Sequence, residues 1–180
     1  MKKELLSPNY IFETSWEVCN KVGGIYTVLS SRAKTLKDNY QDQLVFIGPD
    51  LKQPTANVDF KEDAKLFPAW KKAAANFGVK CRIGRWMVPG EPVAVLVDFE
   101  PFFEQKNNIY AQAWELFSVD SIRAYGDYDE ASMFSYAAAR FAEAVVSNCI
   151  EQQAKVIYQA HEWMSGLGML FLKKQLPRVA

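Results

Sequence analysis

The chain has 180 residues, 49% of them hydrophobic and 14% aromatic, which suits one packed domain and excludes a disordered segment. Lysine plus arginine equals aspartate plus glutamate, at 21 each. A net charge of zero argues against a general nucleic-acid binder, because neutralising phosphates needs a basic surface. No apolar run approaches the length of a membrane span, and the residues up to Pro8 lack the apolar core of a secretory signal. Cys19, Cys81 and Cys149 are far apart, odd in number and without zinc spacing. They read as reduced, partly buried thiols of a cytoplasmic protein.

Tyr10, Ile11 and Phe12 open a short run of strand-forming residues. Apolar residues then recur at Val22, Ile25, Leu29, Ala33 and Leu36, the spacing of one helix face. Gly23 and Gly24 fall where strand turns into helix, with Lys21 just before them. Two readings stand side by side. The glycines serve a tight turn and close helix–sheet packing, or they let backbone amides and Lys21 approach an anion at a helix start. The loop is neither G-x-G-x-x-G nor G-x-x-x-x-G-K-[ST], so neither nucleotide fingerprint applies.

Residues 43–48 read as a second buried strand ended by Pro49-Asp50. Strand, helix and strand together predict parallel pairing through a right-handed crossover. From 51 to 63 the pattern is lost; Gln53-Pro54-Thr55-Ala56-Asn57 is turn-like and the stretch reads as a loop. A short helix is expected to begin near Pro68. Residues 79–88 and 93–99 read as two strands around the turn at 89–92, an antiparallel hairpin within a mainly parallel sheet. Phe102, Phe103, Tyr110, Trp114 and Phe117 have roughly helical spacing and read as core packing rather than a sugar-stacking platform.

Residues 119–130 form a polar loop that contains Asp127-Tyr128-Asp129. Two carboxylates in a D-x-D pattern can hold a divalent ion against a diphosphate. Just ahead of a helix they read instead as capping or solvent-facing charges. The longest helix is predicted over 131–152, with Phe134, Ala138, Phe141, Val145 and Cys149 along one face. Val156 to Tyr158 reads as a strand, with His161-Glu162-Trp163 at its carboxyl end and a helix from about Met164. Ligands of open α/β sheets bind beyond the carboxyl ends of strands, so this tripeptide and the Lys21 loop are expected at the same edge. A lone histidine is more often structural than catalytic, and Glu162 equally suits a helix N-terminus.

Three stretches carry a resemblance. Residues 12–28, FETSWEVCNKVGGIYTV, resemble the F-E-x-x-W-E-V-x-N-K-V-G-G-I-Y-x-V segment of glycogen synthases of the animal and fungal type. Residues 161–166, HEWMSG, resemble the H-[ED]-W-x-[AS]-G motif of glycogen and starch synthases, and FSYAAARF at 134–141 is also similar. The resemblance implies an α/β fold: a Rossmann-like, mostly parallel sheet flanked by helices, the N-terminal half of a two-domain glycosyltransferase B fold.

It also implies roles. Lys21, Gly23 and Gly24 become donor- or phosphate-binding candidates, and His161 and Glu162 become sugar or acceptor contacts. The family's catalytic histidine lies on the following strand, so no catalytic residue is expected in 1–180, and neither metal nor cofactor is implied. The implied reaction is retaining transfer of glucose from UDP-glucose, or ADP-glucose, to the non-reducing end of an α-1,4-glucan. The chain stops as Arg178-Val179-Ala180 begins another apolar segment. This gives the expectation of a truncated N-terminal domain that lacks its C-terminal nucleotide-binding partner domain and is inactive alone. The alternative is a stand-alone glucan- or anion-binding α/β module. Neither reading involves nucleic acid or a membrane.

Overall fold

Six strands form one sheet in the computed structural model of the chain, which describes residues 7–52 and 56–180. The expectation of no secretory signal rests largely on residues 1–6, and the turn expected at Gln53-Pro54-Thr55-Ala56-Asn57 includes residues 53–55; both stretches lie outside the described residues. The elements are β1 (Tyr10–Thr14), α1 (Gly24–Tyr40), β2 (Leu44–Pro49), β3 (Phe60–Glu62), α2 (Pro68–Asn76), β4 (Lys80–Trp86), β5 (Val93–Asp98), α3 (Lys106–Phe117), α4 (Asp127–Asn148), β6 (Val156–Ala160) and α5 (Gly166–Gln175).

Across the sheet the order is β3-β4-β5-β2-β1-β6. β5, β2, β1 and β6 run parallel, as the βαβ reading predicts, while β3 and β4 close one side antiparallel. The expected hairpin is therefore present as β4 and β5. β3 is absent from the expectation: three residues with a single buried apolar side chain, Phe60, present no period to read. Beside β6, the Ala180 carbonyl accepts from the Tyr158 amide at 2.8 Å and the Ala180 amide donates to the Val156 carbonyl at 3.0 Å, the bonding pattern of a parallel pair.

Alternation along the strands divides the core. Leu44 and Phe46, Ala94 and Leu96, Ile11 and Trp86 face α1 through Leu29 and Ala33. Val45, Ile47, Val93, Val95, Val97 and Phe12 face the other helices, chiefly α4. Helix α1 starts at Gly24, so Val22 lies before it and is exposed rather than on the buried face. Helix α4 starts four residues earlier than the pattern predicts, at Asp127, and buries Phe134, Ala138, Phe141 and Val145 as expected. Its alanines allow close approach on both sides, to the sheet and to α5.

The antiparallel side is tied down by ion pairs. The Arg82 guanidinium grips Asp50 at 3.0 and 2.6 Å, and that of Arg85 grips Asp42 at 2.6 and 2.9 Å. The Arg85 bonds, with Lys37 adding to them, hold the Asp42 carboxyl down from 3.8 to about 2. A depressed folded value means that the unfolded chain binds the extra proton between these limits. The stabilisation is therefore present above pH 3.8 and fades as pH falls to about 2. Because Asp42 is 39% exposed, solvent screening limits the effect to about 1 kcal/mol. Denaturant curves of Asp42→Asn are expected to fall below those of the parent chain at neutral pH and to converge with them towards pH 2.

Candidate functional site

Two loops leave the sheet side by side. Thr14, the last residue of β1, lies opposite Ala160, the last of β6, in a parallel pair. The glycine loop and the His161 turn therefore emerge at the same edge, where α/β sheets bind ligands. Each loop contains a non-glycine residue with positive φ, Cys19 at 55° and Glu162 at 63°. Such backbone is costly and persists only where neighbours hold it.

The first loop is organised by Glu17, which is 8% exposed. Its Oε2 accepts from the amides of Gly23 at 2.8 Å and Tyr26 at 2.9 Å, and its own amide donates to Ser15 Oγ at 3.1 Å. The start of α1 is thus already met by an internal carboxylate, complementary to the helix dipole. A Cβ on Gly23 would lie 3.1 Å from Glu17 Oε1 and press on that carboxylate, whereas one on Gly24 would meet open space. Lys21 forms no ion pair among the described residues, and its Nζ lies 5.6 Å from the centroid of the Tyr26 ring. Gly48 at the end of β2 lets the loop pass close overhead, since a Cβ there would reach 2.5 Å from the Val18 carbonyl. Burial pushes the Cys19 thiol well above its ordinary range, which makes it a packing residue of this loop.

The second loop is tied to the first strand. The His161 amide donates to the Thr14 carbonyl at 2.9 Å, and Ser165 Oγ donates to the His161 carbonyl at 2.8 Å. His161 Nε2 lies 2.6 Å from Glu13 Oε2, and Arg32 of α1 pairs with the same oxygen. Glu13 is 2% exposed. The helix that the glycine loop opens is therefore joined to the histidine turn through one buried carboxylate. Glu162 and Trp163 are exposed.

Sequence reasoning missed Glu13, Arg32 and Glu17. Alternation puts Glu13 on the α1 face of a buried strand, and Arg32 falls beside Leu29 and Ala33 on that helix. A carboxylate there needs a cation, and this was the available signal.

The aromatic stretch is divided. Phe102 is buried, whereas Trp114 is 58% exposed and lines a cavity of about 580 Å³ with Asn107, Tyr110 and Asp120. Reading Trp114 as core packing is thus corrected: the buried face of α3 is Ile109 and Ala113. In the D-x-D pair, Asp127 opens α4, while Asp129 is buried and accepts from Lys106 Nζ and Tyr110 Oη, both at 2.7 Å. Burial alone would raise the Asp129 carboxyl, and the Lys106 and Tyr110 bonds outweigh it, holding it below its ordinary value. Both acids fall in the first turn of α4, where they complement the helix dipole as expected, and Asp127 faces solvent; Asp129 departs from the reading by being buried and linking α4 to α3. Among the described residues no three His, Cys, Asp or Glu side chains gather as a metal site needs.

Comparison with known proteins shows the family of the chain. The family model described as "Glycogen synthase" matches residues 13–180. "Glycogen [starch] synthase" of Neurospora crassa is 32% identical over 168 residues, which is 92% of this chain and 23% of that protein. The protein of that name from Dictyostelium discoideum is 30% identical over 175 residues, covering 93% of this chain and 19% of its own length. "Glycogen [starch] synthase, liver" of Homo sapiens is 30% identical over 172 residues, covering 93% and 24%. The chain spans a quarter or less of the length of these relatives. With both motifs at one sheet edge and the family match running over nearly every residue, the chain belongs to the glycogen synthase family.

Proposed function

We propose that the chain forms one wall of the cleft of a retaining glucosyltransferase, which moves glucose from UDP-glucose to the non-reducing end of an α-1,4-glucan. The observation that carries this reading is the side-by-side exit of the glycine loop and the His161 turn from β1 and β6. Lys21 and the amides at Gly23 and Gly24 serve the donor diphosphate, where charge builds as the sugar departs. Glu17 is the internal competitor for that position, so the Lys21 ammonium, which has no ion pair among the described residues, is the stronger of the two contributions. His161 and Glu162 hold sugar hydroxyls. The long match to the animal and fungal segment supports UDP-glucose over ADP-glucose. The reaction involves neither metal nor cofactor.

On this reading 1–180 is the N-terminal Rossmann-like domain, and a C-terminal domain supplies the remaining phosphate-binding and catalytic groups. The relatives' greater length supports that division. A cytoplasmic setting is supported by the free thiols, and no helix among the described residues is long and apolar enough to cross a membrane.

Calorimetric titration of the 180-residue chain with UDP-glucose and, separately, a malto-oligosaccharide tests the reading. Weak or absent binding of both and no glucosyl transfer are expected. Transfer by this chain alone would overturn the one-wall reading, and tight binding of either ligand would favour a stand-alone glucan- or anion-binding module.

A further inference from the structure

We propose that Glu13 is a positioning residue of this site: its buried carboxylate accepts a hydrogen bond from the Nε2–H of His161 and so fixes Nδ1 as the ring's free acceptor. The functional consequence rests on the proposed role of His161 as a sugar contact, because an Nδ1 lone pair is what a sugar hydroxyl would meet.

Glu13 reaches this position through the strand period. Ile11 and Glu13 alternate onto the α1 face of β1, one residue short of the strand's carboxyl end. At 2% exposure a carboxylate persists only with charged or hydrogen-bonding partners. It has two, the Arg32 guanidinium and His161 Nε2, and both converge on Oε2.

The hydrogen can then be assigned. An ionised carboxylate offers only acceptors, and a guanidinium offers only donors. Arg32 Nη2 also lies 3.4 Å from His161 Nε2, which taken alone would make Nε2 the acceptor and move the hydrogen to Nδ1. The Glu13 contact decides otherwise, because at 2.6 Å it is much the shorter and needs a hydrogen between the two atoms. Arg32 and Nε2 are thus two donors crowded on a shared oxygen. Nδ1 has no hydrogen-bond partner among the described residues.

The rest of the residue is fixed as well. The His161 amide is bonded to Thr14 at 2.9 Å and its carbonyl to Ser165 at 2.8 Å, so Glu13 removes the remaining freedom, rotation and tautomer of the ring. Because Arg32 belongs to the helix that the glycine loop opens, the same carboxylate sets the histidine turn and the donor loop in one register.

His161 is the only histidine in the chain, so long-range ¹⁵N–¹H spectra of the imidazole report on one ring. The parent chain at neutral pH is expected to show a protonated-type Nε2 and an unprotonated-type Nδ1, a single tautomer. A protonated Nδ1, or averaging between the two forms, would overturn the proposal with no variant needed. In Glu13→Gln, whose amide both donates and accepts, the single-tautomer pattern is expected to be lost. In Glu13→Asp, which keeps the carboxylate, it is expected to return at least in part. A Glu13→Gln spectrum unchanged from the parent would also overturn the proposal. The tautomer is read without any sugar, so glucosyl transfer or tight ligand binding by this chain alone would overturn the one-wall reading and leave Glu13's hold on the ring standing.

Discussion

Trp86→Ala is expected to lower the stability of the chain by about 3–5 kcal/mol, the largest loss of any single truncation considered. The indole is fully buried at the end of β4. It meets the ring of Phe46 on β2 edge-on, with centroids 5.2 Å apart, and that of Tyr26 on α1 at 5.4 Å. Truncation removes both contacts and leaves a void between sheet and helix, which α1 cannot fill without moving its first turn. A domain of this size is stable by only about 5–15 kcal/mol, so the loss is a large share of the total. Tyr26 is also the residue whose amide Glu17 caps, so the glycine loop should loosen with the core. Trp86→Phe keeps an aromatic edge against both neighbours and is expected to cost less. Denaturant unfolding of the three chains checks the order, and a Trp86→Ala chain as stable as the parent would contradict the packing described.

Gly168→Ala is expected to be the second most damaging change, at about 3 kcal/mol. A Cβ at this position would lie 1.9 Å from the Ser135 carbonyl oxygen and 3.0 Å from Ala139 Cβ. Backbone of α4 cannot swing aside as a flexible side chain would, so α5 has to move as a body. That shift also strains the bond from the Gly168 amide to Ser135 Oγ, which is 2.7 Å long. α5 begins directly after Ser165, whose hydroxyl holds the His161 carbonyl, so the histidine turn should be displaced as well. Gly166→Ala is the internal control. Nothing lies within 4 Å of a Cβ there and its φ is −78°, so the change is expected to be neutral or to stabilise by about 0.5 kcal/mol. Thermal unfolding of the two variants separates the cases. The glycine that packing requires is therefore Gly168, two residues beyond the one that belongs to the recognisable motif.

Much of the architecture was legible in the residues. The run from Tyr10, the period of three or four through Leu29 and Ala33, and the apolar stretch from Val93 each report a local repeat, and local repeats survive without a neighbour. β3 was not legible, because its place depends on pairing with β4 rather than on any pattern in three residues. Trp114 was misplaced for a related reason. The spacing of the aromatics is helical, but which side of α3 faces the core is set by its neighbours, and these cover Ile109 and Ala113. Asp129 resembled a surface charge until α3 brought Lys106 and Tyr110 against it.

By itself the sequence determined the α/β class, the βαβ start, the position of the two motif loops and the family they resemble, because each depends on residue type and spacing within one stretch. Tertiary structure decided what those loops are attached to. Glu13, Arg32 and His161 are separated by 19 and 129 residues along the chain, and meet only because β1 lies between β2 and β6 with α1 on one face. A buried carboxylate selects its partners through space, where one short contact to a desolvated charge outweighs any local preference.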